Sequence, residues 1–178
     1  IGSFILAEAI RIHRLDRRLA FAVLALPMVG ERPIRIMLAV AVVSGVVSGF
    51  ISNTATTAMM VAIVAGMLSA VEEAGQKANC CPKPEFATGL FLCVAFAASI
   101  GGLATPIGTP PNVIGLAFIR EQLGVHISFF EWCLVGAPVS IFLIIMSTLL
   151  LAVSFPSGVR HIEGMSQLVT NERQQLGS

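Results

Sequence analysis

Two long apolar stretches of this chain are each interrupted midway by a polar, helix-breaking cluster. The first carries Ser52-Asn53-Thr54-Ala55-Thr56-Thr57 and the second Gly108-Thr109-Pro110-Pro111-Asn112. No Asp, Glu, Lys or Arg occurs between Ile36 and Val71 or between Phe86 and Ile119, and a third charge-free stretch runs from Trp132 to Val159. In hydrocarbon every backbone N–H and C=O must find a partner, so irregular backbone at membrane depth survives only where it faces protein or a water-filled cavity. The pattern therefore predicts helices in a bilayer whose interruptions are held inside the protein.

Composition agrees. The chain is 56% hydrophobic and 12% charged, against about 25% charged residues in an ordinary soluble domain. A net charge of +1 with dispersed basic residues excludes a nucleic-acid footprint. Cys80, Cys81, Cys93 and Cys133 lack the paired spacing of a zinc or redox site and read as packing or loop residues.

The apolar runs predict a path. Residues 1–10 read as the end of a helix whose beginning is missing, which makes the chain a fragment, and residues 11–35 as a basic, partly amphipathic interfacial segment. Residues 36–70 hold two apolar arms around the first polar cluster. Each arm is shorter than the roughly 20 residues a spanning helix needs, so a re-entrant hairpin with its tip inside the bilayer is expected. Gly45 and Gly49 are spaced so that a neighbouring helix can approach closely, with Ser44 and Ser48 beside them. Residues 71–85 read as a polar loop outside the bilayer. Residues 86–119 are expected to form one broken transmembrane helix, 120–128 a short loop and 129–155 a transmembrane helix with Trp132 as interfacial anchor. Residues 1–155 are thus the membrane part, and 156–178 a polar linker. If the hairpin returns to its side of entry, every Lys and Arg except Arg120 falls on one side. The positive-inside rule then makes the basic loops and the C-terminal tail cytoplasmic, in a plasma (inner) membrane.

Unwound carbonyls, hydroxyls and an Asn amide oxygen are hard ligands suited to a small cation. Helices that begin at the breaks turn the positive end of their dipole toward an anion. With no Lys or Arg in the membrane stretches, a bound anion must be neutralised by helix ends, polar donors and a co-bound cation. Polar residues in such helices often serve only interhelical hydrogen bonds. Two clusters that each combine helix breakers with several donors and acceptors favour a transport site near the midplane instead.

Ser48-Gly-Phe-Ile-Ser52-Asn53-Thr54-Ala-Thr-Thr-Ala-Met59-Met60, followed by Ala98-Ser99-Ile-Gly101-Gly102-Leu-Ala-Thr105-Pro-Ile-Gly108-Thr109-Pro110-Pro111-Asn112, resembles the N-terminal repeat of the divalent anion:sodium symporter family. Those are sodium-coupled carriers of dicarboxylates, citrate and sulfate, and the resemblance runs to about Val153. It implies an all-α integral membrane fold of inverted repeats, each with a re-entrant hairpin, that moves as a transport domain against a homodimeric scaffold. It further implies that Ser52, Asn53 and Thr54 face one carboxylate of the substrate. Ser48, Ser52, Asn53 and the carbonyl of Gly108 would hold a coupling Na+, with Thr105, Thr109 and Pro110 as neighbours. Ala62 departs from the proline that many members have after the paired methionines. A second Ser-Asn-Thr is absent, so the other half of the substrate site and the second sodium site belong to a missing C-terminal repeat.

Alternatives of other kinds are an arsenite or proton-coupled citrate carrier, a passive anion channel, and a membrane hydrolase. For the last, His13, His126 and His161 all lie in expected loops or the tail, and no metal-binding His-Glu-x-x-His is present. The chain is expected not to be an enzyme.

Overall fold

The computed structural model describes residues 32–78 and 83–158. The expectations for 1–10, for most of the basic segment 11–35, for Cys80 and Cys81 and for nearly all of the 156–178 linker lie outside the described residues. Five helices follow one another: α1 (Pro33–Ser48), α2 (Asn53–Ala78), α3 (Pro84–Gly101), α4 (Pro110–Leu123) and α5 (Phe129–Ser154). Proline opens α1, α3 and α4, where its missing N–H costs nothing and its fixed φ suits the first turn. A capping box opens α5: the Ser128 hydroxyl accepts from the Glu131 N–H at 3.3 Å, and the Glu131 carboxylate accepts from the Ser128 N–H at 2.7 Å. Gly124, at φ 64°, ends α4 in the left-handed conformation that favours glycine.

Three boundaries differ from the sequence expectation, each for a local reason. The first break occupies residues 49–52, and Asn53 to Thr57 already form the opening turns of α2. Ser52 makes this possible, since its hydroxyl accepts from the Ala55 N–H at 3.3 Å and its carbonyl from the Thr56 N–H at 3.0 Å. The second break spans residues 102–109 and lies upstream of the prolines. Pro110 and Pro111 start α4, whereas paired glycines at the end of α3 stop the preceding helix. Finally, the backbone stays helical from Val71 to Ala78, within the expected loop 71–85. Glu, Gln, Lys and Ala there are strong helix formers whatever their polarity.

α3 is the central helix, packed on α1, α2 and α5, while α1 also touches α2 and α5. Its inward face is Phe86, Leu90, Cys93, Val94 and Ala97, the three- and four-residue spacing of one helical stripe. Against it lie Met37, Val40 and Val43 of α1, Met60, Val64 and Met67 of α2, and Ile144 and Leu151 of α5. α3 and α5 are antiparallel. The Lys83 N–H donates to the Ser157 carbonyl at 2.9 Å at one end, and the Trp132 Nε1–H to the Leu103 carbonyl at 3.0 Å at the other. Where the ends of α1, α3 and α5 meet, a cleft of about 650 Å³ is lined by Arg32, Met37, Phe86, Ala152 and Phe155.

α1 and α3 cross in backbone contact. A Cβ on Gly101 would stand 2.2 Å from the Gly45 carbonyl oxygen and 2.4 Å from its Cα, so two backbones touch where no side chain fits. Gly45 is closed from its other side by the Ile144 side chain of α5, 2.5 Å from where its own Cβ would be.

α3 and α5, of 18 and 26 residues, are long and apolar enough to cross a membrane, while the apolar parts of α1 and α2, Pro33–Ser48 and Asn53–Ser69, are shorter. On α5 only Ser140, Ile144, Thr148 and Leu151 are buried. Leu134, Val135, Phe142, Leu150 and Val153 are each more than 60% exposed. A helix apolar on every side belongs in lipid or against further protein.

Candidate functional site

The two breaks meet. The Thr105 hydroxyl, in the second, donates to the Gly49 carbonyl, in the first, across a short hydrogen bond. Gly102 lies against the Asn53 side chain: a Cβ there would be 2.4 Å from Asn53 Oδ1. Gly108 packs in turn on Gly102, with its own would-be Cβ 2.5 Å from the Gly102 carbonyl oxygen. Glycine at 102 is needed for space and not for backbone freedom, because its φ of −60° is ordinary.

Unwinding a helix frees carbonyls, and burial makes each one costly unless it finds a donor. Asn112 supplies two, its Nδ2 donating to the Gly102 carbonyl at 2.9 Å and to the Thr105 carbonyl at 2.8 Å. Because both partners are acceptors, the amide orientation is fixed. From α5, the Ser140 hydroxyl donates to the Ile100 carbonyl at 3.1 Å and Trp132 to Leu103. Asn112 is thus the staple of the break. Asn112→Ala leaves the Gly102 carbonyl without a donor among the described residues and the Thr105 carbonyl with only the Gly108 N–H at 3.4 Å, at about 1–3 kcal/mol for such a loss. The variant is expected to melt several degrees below the parent in detergent, and an unchanged melting temperature would contradict the staple.

Ser48, fully buried, stands at the floor of the tip. Its Oγ lies 2.7 Å from Asn53 Oδ1 and 2.6 Å from the Ala98 carbonyl, which also accepts from the Gly102 N–H at 3.1 Å. One hydroxyl proton serves one acceptor. Three oxygens this close are reconciled either by a cation among them or by an Asn53 amide turned to donate from Nδ2. Gly108, one glycine away, keeps a carbonyl that accepts from no other described residue.

The two helix starts differ. Pro110 and Pro111 have no N–H and the Asn112 N–H donates to the Thr109 carbonyl at 3.1 Å, so the first three residues of α4 offer no free N–H. The Asn53 and Thr54 N–H groups of α2 have no acceptor among the described residues.

Of the residues singled out in the sequence, Ser48, Asn53, Thr105 and Gly108 lie together around Gly102. Ser52 and Thr54 are exposed at the tip, and the Ser52 hydroxyl is engaged in capping α2. Thr109 and Pro110 form the junction into α4, and neither side chain bonds the tip. Reading the sequence alone missed the Ala98 carbonyl, the Asn112 staple and the Trp132 and Ser140 donors. Ser140 carried a usable signal, since a hydroxyl on an otherwise apolar helix needs a partner in hydrocarbon.

Known proteins resemble the chain along almost its whole length. Two similar proteins are the sodium-dependent dicarboxylate transporters SdcS of Staphylococcus aureus strains USA300 and COL, each 32% identical over 179 residues that cover 99% of this chain. Those residues are 34% of each relative, so the chain spans about a third of their length. These relatives are transporters and not enzymes. The model of the sodium:sulfate symporter transmembrane region matches residues 1–178. With its apolar helices, its two joined breaks and this match along its whole length, the chain belongs to the sodium:sulfate symporter transmembrane family.

Proposed function

We propose that this chain is the N-terminal repeat of a secondary active carrier that couples Na+ to a divalent anion such as a C4-dicarboxylate, citrate or sulfate. The observation that carries the reading is the meeting of oxygens and free N–H groups at one tip. Ser48 Oγ, Asn53 Oδ1 and the Ala98 carbonyl cluster at Asn53, and the Asn53 and Thr54 N–H groups beside them have no acceptor among the described residues. A cation on the oxygens and a carboxylate on the N–H groups would each offset the charge that the other brings into a low-dielectric site.

In this reading Ser52, Asn53 and Thr54 receive one carboxylate. Ser48, Ser52, Asn53 and Gly108 ligate the first Na+, with Thr105 and Pro110 holding the wall. The Ser52 hydroxyl serves the ion by releasing the Ala55 N–H. Residues 36–70 form a re-entrant hairpin, 86–119 a broken transmembrane helix and 129–155 a transmembrane helix, in an inverted-repeat carrier that is a homodimer when complete. Arg32 and Lys83 lie at the Ser157 end of the bundle, which supports a common cytoplasmic side for the basic residues.

Sodium-driven uptake tests the reading. The full-length carrier in proteoliposomes should concentrate labelled succinate, malate, citrate or sulfate when sodium is high outside, and stop when choline replaces it. The 178-residue piece alone should match empty vesicles, because a dianion needs the second half-site too. Equal uptake in choline would reject sodium coupling in favour of a proton-coupled carrier, and equilibration without accumulation would indicate a channel.

A further inference from the structure

Thr56 is 1% exposed, and its Oγ1 is the one buried side-chain oxygen or nitrogen among the described residues that has no hydrogen-bond partner. A threonine in a helix usually satisfies its hydroxyl on the carbonyl four residues back. Here that carbonyl, of Ser52, receives the Thr56 N–H at 3.0 Å and not the hydroxyl. Leaving a buried hydroxyl unbonded is unfavourable, so the position points to a ligand that the polypeptide does not supply.

Its place in the fold says which. Thr56 follows Asn53 by three residues on α2, and side chains at that spacing stand side by side on a helix surface, about 5–6 Å apart at Cβ. It begins the inward stripe of α2 that continues through Met60, Val64 and Met67. The orphan hydroxyl thus stands one turn along α2 from Asn53, on the buried stripe of the helix, and Asn53 Oδ1 is itself part of the oxygen cluster with Ser48 and Ala98. With Asn53 Oδ1 toward Ser48, that cluster has more oxygens than protons to share.

We infer that the Thr56 hydroxyl is a further, inner ligand of the cation held at the hairpin tip. This deepens the sodium reading above and rests on it. A hydroxyl brings an oxygen without a charge, so it strengthens ion binding while adding nothing for the dianion to repel. Being inside the bundle, it also ties ion occupancy to the packing of α2 on α3.

The test compares Thr56→Val, which keeps the shape and removes the oxygen, with Thr56→Ser, which keeps the oxygen. Purified full-length carrier is titrated with NaCl against choline chloride at constant ionic strength, and the melting temperature gives the apparent sodium affinity by linkage. Thr56→Val should weaken sodium binding roughly tenfold or more, while Thr56→Ser stays within about threefold of the parent. In choline, Thr56→Val should melt at or above the parent, since it removes an unsatisfied polar group. Two results overturn the inference: unchanged sodium affinity in Thr56→Val, or an equal drop in melting temperature with and without sodium, which would assign the hydroxyl to a buried water. Ser48→Ala and Asn53→Ala separate the two levels of the argument. If they weaken sodium binding and Thr56→Val does not, only the Thr56 ligand is wrong; if none of the three does, the cation site itself is misplaced.

Discussion

Gly101→Val is expected to abolish folded protein, while Gly66→Ala leaves it intact. The first Cβ would fall 2.2 Å from the Gly45 carbonyl oxygen and 2.6 Å from its carbonyl carbon. Those atoms are backbone, so relief means moving α1 away from α3. α1 is also packed beside Gly45 by the Ile144 side chain of α5, so its movement would disturb that contact too. Forcing bulk into packed cores costs roughly 1–3 kcal/mol even where side chains yield, and more where they do not. The same displacement would separate the tip from the break, since Thr105 to Gly49 and Ser48 to Ala98 both bridge α1 to the α3 region. A Cβ at Gly66, on the exposed side of α2, meets no atom within 4 Å. There alanine relieves the helix penalty of glycine by about 0.5–1 kcal/mol. Fluorescence-detected size exclusion of the two variants, followed by thermal melting, reads both outcomes. A monodisperse Gly101→Val with the melting temperature of the parent would refute the backbone crossing.

The sequence made the helical, membrane-type organisation legible because hydrocarbon imposes it: a run such as 132–159 without charge admits few structures. The family was legible for a different reason. Ser52-Asn53-Thr54 and Gly108-Thr109-Pro110-Pro111-Asn112 are long, specific strings, and the match along residues 1–178 agrees with them. What could not be read was where each helix stops. Polarity drew attention to Ser52 to Thr57 and to Gly108 to Asn112, yet only Ser52, Gly108 and Thr109 of these lie in the breaks, which are glycine-led segments, and the rest start helices. Polar side chains at a first turn satisfy helix ends, so their presence marks an edge without saying on which side of it they lie. The carbonyl donors Trp132 and Ser140 were out of reach for a further reason. They lie 29 and 40 residues from their partners and meet them only because α5 folds back along α3. The Gly45–Gly101 contact is similar: spacing on α1 suggested a close approach, but its partner is fixed by the tertiary fold.

Asn53→Ala is expected to have the largest effect on transport of any single substitution at the tip. Asn53 touches Ser48 Oγ at 2.7 Å through Oδ1, packs on Gly102, and opens α2 with an unpartnered N–H. Alanine keeps that N–H but removes the amide oxygen from the cation cluster and leaves the space beside Gly102 unfilled. Asn53→Asp keeps the shape and adds a negative charge, which favours a cation and repels a carboxylate. The two substitutions therefore separate the ion from the substrate. With Asn53→Ala, the sodium concentration for half-maximal uptake should rise at least tenfold. With Asn53→Asp, dianion affinity should fall while sodium affinity holds or rises.

The most direct measurement is the sodium dependence of dianion uptake by the full-length carrier bearing Asn53→Ala, set beside the parent in the same proteoliposomes. The account predicts a curve displaced to higher sodium together with weaker substrate binding. Transport at the parental rate with an unchanged sodium curve would contradict the cation and anion site at this tip.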